Sequence, residues 1–243
     1  MERSLLVTGA SGSLATELIR QARDDNWRVI AVSRKLRPED WDKEDLWLQA
    51  DVSTAAGAEA VFAELARQDL VPDALAHLAG SFLLAGLAQT SEAAYRQCLA
   101  ANLDSAFFLL RNFVNIRRKA GGGGAAVFVS SVVADIGVAF HEAVAAAKGG
   151  LESLVLAAAA THARDQIRIN AVRSGLMDSP AAAHILRNER ARDLARQQYP
   201  LASLISPEEV AQAILYLLSA EQITGQILAV DGGFGAIRPL VTQ

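Results

Sequence analysis

Three groups of residues have types and spacings suited to chemistry. The first is Thr8-Gly9-Ala10-Ser11-Gly12-Ser13-Leu14-Ala15, a glycine turn between a short apolar run and a helical pattern. Backbone N–H groups and the dipole at such a helix start suit a pyrophosphate, and the strand-turn-helix context gives the glycines their meaning. Gly9, Ser11, Gly12, Ser13 and Leu14 are the candidate ligands. The second group, Ser33-Arg34-Lys35, ends the next apolar run. An acid here would bond a ribose 2′-hydroxyl; none is present, and Arg34 offers a forked contact to a 2′-phosphate instead. NADP(H) is therefore favoured over NAD(H), although Arg34 and Lys35 also fit a plain solvated loop. The third group is Ser131, closing Phe128-Val129-Ser130-Ser131, with His141, Val144 and Lys148 beyond it. Positions i, i+3 and i+7 share a helix face. An imidazole with a pKa of about 6.5 suits proton transfer at neutral pH. His141 with Glu142 equally fits the start of an exposed helix.

Short apolar runs alternating with helical patterns must hold these residues. Strands are expected at 3–8, 28–32, 46–50, 73–78, 125–130, 167–172 and 226–230. Helices are expected at 13–24, 56–68, 92–119, 141–162, 180–197 and 207–219. The alternation predicts a doubly wound, Rossmann-type α/β/α sandwich with a parallel sheet of about seven strands. Near-continuous apolar strands fit a sheet buried on both faces. Gly121 to Gly124 reads as a flexible turn. No linker divides the chain, so residues 1–243 read as one domain.

With these elements in order, the chain resembles the short-chain dehydrogenase/reductase family from end to end. Compact members carry T-G-x-x-x-G-x-G at the first turn; Thr8 and Gly9 match, with Ser13 and Ala15 at the other glycine positions. Read as the T-G-x-x-G-x-x-G of longer members, Gly9 and Gly12 match and Ala15 replaces the last glycine. The resemblance implies that Asp51 and Val52 hold the adenine, though Asp51 also fits a helix N-cap or loop residue. His77-Leu78-Ala79-Gly80 stands for the family's Asn-Asn-Ala-Gly, with Ala79 and Gly80 beside the cofactor and His77 as a structural replacement. Asn102 matches N-L-x-x-x-F and would hold a kink and a water leading to the lysine. Ser131 would bond the substrate oxygen, and Lys148 would hold the nicotinamide ribose. Arg168 to Gly175 is similar to I-R-V-N-A-V-x-P-G with Ser174 for the proline, and Gly175 and Ser179 would meet the carboxamide. Residues from about Met177 to Leu204 would form the substrate lid, over a pocket expected to be apolar around Phe82, Leu83, Phe140, Val144 and Leu176.

One departure bears on function. Thirteen residues after Ser131, where the family places its tyrosine, this chain has Val144. Tyr95, Tyr199 and Tyr216 lie in other segments and are not expected to reach the site. Valine has no proton to give, and general acid–base catalysis is worth about 10²–10⁴ in rate. Three readings stand: an NADP(H)-dependent oxidoreductase on a small carbonyl or alcohol with a non-standard proton donor such as His141; a catalytically silent cofactor sensor or partner subunit; and a non-redox lyase or isomerase.

Composition narrows the partners. The chain has 243 residues and a net charge of -4, with no basic block, so nucleic-acid binding is not expected. Cys98 is the single cysteine, which excludes an intramolecular disulfide, and no metal-ligand spacing occurs. The N-terminus runs straight into a short apolar strand and reads as neither a cleavable signal nor an apolar segment of bilayer length, so no membrane partner and a cytoplasmic location are expected. The resemblance implies a homodimer or homotetramer.

Overall fold

The structure is a computed structural model and describes residues 3–238. Its centre is β1 (Arg3–Thr8), whose alternate side chains leave opposite faces of the sheet. Leu5 and Val7 pack with α1 (Ser13–Asp24) and α7 (Pro207–Ser219). Leu6 packs with α2 (Ala55–Arg67), α4 (Ser105–Lys119) and α5 (Glu142–His162). Both faces of the strand are thus buried, which is why it reads as an unbroken apolar run.

The remaining strands are β2 (Trp27–Ser33), β3 (Leu46–Gln49), β4 (Ala74–His77), β5 (Gly124–Ser131), β6 (Ile167–Ser174) and β7 (Ile227–Val230). All pairings are parallel, in the order β3-β2-β1-β4-β5-β6-β7. The order reverses between β1 and β4. Such a switch point leaves a crevice at the carboxyl ends of the strands, where ligands of open α/β sheets bind.

Local sequence explains the helices that frame the crevice. In α1, Leu14, Ala15, Leu18, Ile19 and Ala22 form the buried stripe of a 3.6-residue period. The Ser206 and Glu209 side chains make a reciprocal capping box at the start of α7, with Pro207 in its first turn.

Several expected spans change. The stretch 92–119 is helical throughout but not uniformly: one wide π-type turn at Ala100–Asp104 lies between α3 (Glu92–Leu99) and α4. The stretch 180–197 resolves into a single tight turn at Pro180–Ala182 and α6 (Glu189–Arg196). The Asn188 side chain starts α6 afresh by accepting from the Ala191 N–H. Ala182, Leu186 and Ala195 bury in one small cluster, so their helix-like spacing comes from packing between two segments. Glu142–Asp165, comprising α5 and the turn after it, is long and apolar enough to cross a bilayer by length and composition. Half of its most apolar 18 residues are buried within the fold. Val155 and Ala159 of α5 pack in the core with Ile169 and Ala171 of β6.

Candidate active site

The nucleotide end of the crevice gathers the glycine turn and the ends of β2, β3 and β4. Gly9 has φ +71°, and a Cβ on it would lie 2.7 Å from the Ala79 backbone N. Conformation and space both demand glycine there. Gly12 caps α1 in extended conformation without a side-chain bond. Among the described residues, the N–H groups of Ser13, Leu14 and Ala15 have no acceptor, so the first turn of α1 presents free donors at the positive end of its dipole. The Leu14 side chain is buried in the core, which leaves its backbone for a ligand. The buried Ser33 hydroxyl donates to Ser11 Oγ at 3.1 Å and accepts from the Lys35 N–H at 3.1 Å. Arg34 is exposed and makes no ion pair among the described residues. Asp51 caps no helix; Thr54 caps α2. The Ser53 hydroxyl (2.7 Å) and N–H (3.1 Å) both bond Asp51 Oδ1. That hydroxyl bond, more than nearby Arg34, holds the carboxyl below its usual range. Val52 is buried against α2.

His77 is buried between strand and helix. Its Nδ1 lies 2.7 Å from Thr8 Oγ1 and its Nε2 3.0 Å from Ser105 Oγ. Ser105 donates its one hydrogen to Ala101 O at 2.9 Å, so Nε2 carries the proton and Nδ1 accepts from Thr8. Burial, aided by the Lys148 charge, pushes the ring's pKa down to about 3. A neutral strut results.

The chemical end is a cavity of about 450 Å³ beyond β4, β5 and β6. Gly80, Asn102, Ser131, His141, Val144, Lys148, Gly175 and Ser179 all line it. Asn102 sits in the wide turn between α3 and α4, where the shifted hydrogen bonding turns its side chain inward. Its amide nitrogen faces Ser81 O, Ser81 Oγ and Cys98 O at 3.0–3.2 Å, and its Oδ1 accepts from the Ser81 N–H at 3.2 Å. Lys148 is on the core-facing side of α5, and its Nζ donates to Val129 O at 2.7 Å. Burial pushes this ammonium down to about 8. Ser131 Oγ accepts a long 3.4 Å bond from the Val133 N–H. The Ser130 hydroxyl is taken by Glu152 at 2.6 Å, which leaves Ser131 the freer of the two serines.

His141 directly precedes α5 and is half-buried, its ring edge-on to Phe82 at 5.6 Å. His141 Nδ1 lies 2.8 Å from Ala139 O. A carbonyl only accepts, so Nδ1 carries the proton and Nε2 keeps the exchangeable lone pair.

The pocket wall differs from expectation in three places. Phe82, Val144 and Leu176 line the cavity, but Leu83 and Phe140 do not. Leu83 turns into the cluster with Cys98 and Val133, leaving Leu84 to face the cavity. Phe140 turns outward at 59% exposure. Tyr199 does reach the cavity, contrary to its remote place in the chain. Its phenol oxygen accepts from the Leu176 N–H at 2.6 Å, and its ring lies against Gly175. It thereby pins the turn that Ser174 leaves without a proline. Sequence reasoning also missed a clamp behind Ser130. Arg173 bonds both oxygens of Glu152 (2.9 and 2.6 Å) and Asp135 (2.6 Å), tying β6 to α5 and to the loop after β5. The i+4 spacing of Lys148 and Glu152 was the available signal.

These residues fit a dinucleotide. The free donors of α1 suit its pyrophosphate, and Gly9 leaves the backbone open. At the far end, Asp178 N bonds Ile205 O and Ile205 N bonds Leu176 O, both at 3.1 Å. Among the described residues the N–H and C=O of Met177, between them, have no backbone partner and suit a carboxamide. Among the described residues no group of three or more His, Cys, Asp or Glu side chains could hold a metal ion.

Comparison with known proteins bears on the fold and the lineage. The family model described as enoyl-(acyl carrier protein) reductase matches residues 9–235. The chain is 34% identical to cis-4-hydroxycyclohexanecarboxylate dehydrogenase of Sinomonas cyclohexanicum, over 97% of this chain and 98% of the relative. It is 30% identical to galactitol 2-dehydrogenase (L-tagatose-forming) of Cereibacter sphaeroides, over 94% and 93%. Among solved structures, 4-hydroxyisoleucine dehydrogenase complexed with NADH superposes with a TM-score of 0.92 at 22% identity, covering 97% of this chain and 100% of that one. ElxO with NADP bound gives 0.89 at 21% identity, covering 96% and 99%. The structural likenesses speak for the fold, and the sequence matches for the lineage: the chain belongs to the short-chain dehydrogenase/reductase family.

Proposed function

We propose that this protein is an NADP(H)-dependent oxidoreductase that interconverts a small secondary alcohol and its ketone, with His141 carrying the proton. The observation that carries the reading is one cavity lined by Asn102, Ser131, His141 and Lys148, with aliphatic Val144 where the family pattern puts tyrosine. Free donors at the start of α1 would hold the pyrophosphate, Arg34 a 2′-phosphate, and Met177 with Ser179 the carboxamide. When bound, the nicotinamide supplies or accepts the hydride. Ser131 donates its hydroxyl hydrogen to the substrate oxygen. Neutral His141 takes the alcohol proton at Nε2 during oxidation and, as imidazolium, returns it to the alkoxide during reduction. Lys148, mostly an ammonium at neutral pH, keeps hydrogens beyond the Val129 bond for the ribose hydroxyls. The two relatives above are both named as dehydrogenases of hydroxyl compounds, which supports the reaction class.

A second reading, a cofactor-binding protein without turnover, is favoured by Val144. It is buried beside Cys98 and Val133 and offers no exchangeable proton. Calorimetric titration with NADPH and NADH, followed by alcohol and ketone assays of the wild type and His141→Gln, separates the two. Binding of NADPH at least about tenfold tighter than NADH is expected, a difference of about 1.4 kcal/mol. His141→Gln should keep that affinity and lose about 10²-fold in turnover. Unchanged turnover in the variant removes His141 from the mechanism. Tight NADPH binding with no turnover by the wild type establishes the second reading, and binding of neither cofactor overturns both.

A further inference from the structure

We infer that the cavity takes an uncharged alicyclic or branched aliphatic ketone–alcohol pair, and that the stacked rings of Phe234 and Tyr199 form the wall that sets its size. The inference rests on the oxidoreductase reading above and names its substrate class.

The lining carries the first part. It contains no Asp, Glu or Arg, and its ionisable side chains are His141, Lys148 and Tyr199. Lys148 is committed at the floor: Nζ is bonded to Val129 O, beside Gly80 and Asn102. The Tyr199 oxygen accepts from the Leu176 N–H, and burial pushes its pKa up, so the phenol stays neutral and carries no charge to meet an anion. Of the lid's guanidinium groups, Arg192 is paired with Asp178 and Arg196 with Glu189 and Asp193, while Arg187 and Arg190 are exposed and do not line the cavity. A carboxylate or phosphate on the substrate would therefore be desolvated with no guanidinium and no uncommitted ammonium to pair with. A polyhydroxylated chain fares little better. Beyond Asn102 and Ser131 its polar partners would be Ser81, Ser174, Ser179 and Gln198. Val132, Val133, Val138, Leu176 and Ile185 offer its other hydroxyls only hydrocarbon.

The segment after β7 carries the second part. Asp231 accepts from the Gly233 and Gly235 N–H groups, at 2.9 Å each, and so fixes the turn that presents Phe234. Phe234 packs on Tyr199 with ring centroids 5.0 Å apart and 33° between planes. It also packs against the cluster holding Val133 and Val144. The ring thus joins the lid side of the cavity to the α5 side. Tyr199, pinned at its hydroxyl and pressed on Gly175, gives it a firm backing.

The test uses NADP⁺-loaded protein and three ketones: 4-methylcyclohexanone, 4-oxocyclohexanecarboxylate and bicyclic 2-decalone. Binding is read by saturation-transfer NMR, and reduction is read separately with NADPH. The methyl ketone should bind at least about tenfold more tightly than the carboxylate. Phe234→Ala should move the preference between monocycle and bicycle by about tenfold towards the bicycle. Phe234→Leu serves if the alanine variant fails to fold. Equal or tighter binding of the carboxylate, or no binding of any neutral ketone, overturns the substrate class. A folded Phe234 variant with unaltered size preference overturns the wall. Neutral ketone bound but never reduced supports the class and instead sinks the oxidoreductase reading.

Discussion

His77 has a consequence that can be worked out from one side chain. In the unfolded chain its pKa is about 6.5, and in the folded protein it is pushed down to about 3 by burial. Between those values the unfolded state binds a proton that the native state refuses. Stability therefore falls as pH falls, by up to about 1.4 kcal/mol per unit. Above about pH 6.5 this contribution is absent. An asparagine, which the family pattern has here, can hydrogen-bond without titrating. Urea unfolding of the wild type and His77→Asn at pH 7 and pH 5 should show the wild type losing about 2 kcal/mol more than the variant over that interval. Equal losses would mean that protonated His77 is accommodated, and the strut between Thr8 and Ser105 would have to be reconsidered.

The turn between β1 and α1 treats its two glycines unequally. At Gly9 the positive φ and the 2.7 Å approach to Ala79 act together; at Gly12 the backbone is extended and an added Cβ would meet only Gly9 O at 3.4 Å. Gly9→Ala should cost roughly 1–3 kcal/mol in unfolding free energy and abolish NADPH binding, because the backbone that lines the switch point must move. Gly12→Ala should cost well under half of that. Thermal unfolding and calorimetry on both variants check the contrast, and a mild Gly9→Ala would remove the close approach as the reason for the glycine. The same elements show where sequence is a good guide. The spans of α1 and α7 are legible to the residue because an apolar stripe and local caps define them. The wide turn at Ala100–Asp104 is not, since an inserted residue shifts the hydrogen bonding without changing the residue types. In the site, Asn102, Ser131, His141 and Lys148 line one cavity; helix register pointed to His141 beside Lys148 and the end of β5 to Ser131, whereas Asn102 came with the family resemblance. Tyr199 was illegible because its approach depends on how the segment after α6 folds back on Gly175, a contact between residues distant in sequence. Leu83 and Leu84 exchange roles for a similar reason: they lie in a stretch without regular structure, which has no period to assign its faces.

Over the whole molecule, the sheet order, the crevice at β1/β4 and the clamps around β5, β6 and α5 converge on a cavity in which one position lacks the expected chemistry. If the rest of the fold still presents a working site, one substitution should expose it. Val144 lines the cavity and is also buried beside Cys98 and Val133, so Val144→Tyr must direct its ring into the open space or strain that cluster by about 1–3 kcal/mol. With Lys148 one helical turn away to hold down its pKa, a tyrosine there should raise ketone reduction by about 10²-fold or more. The double variant Val144→Tyr/His141→Gln decides between the routes. If His141 is the native proton carrier, its loss should disable the wild type but leave the tyrosine variant active. If Val144→Tyr binds NADPH, remains as stable as expected and gains nothing, the scaffold has diverged beyond that one residue. The cavity's apolar walls would then have to be read as binding a ligand rather than turning one over.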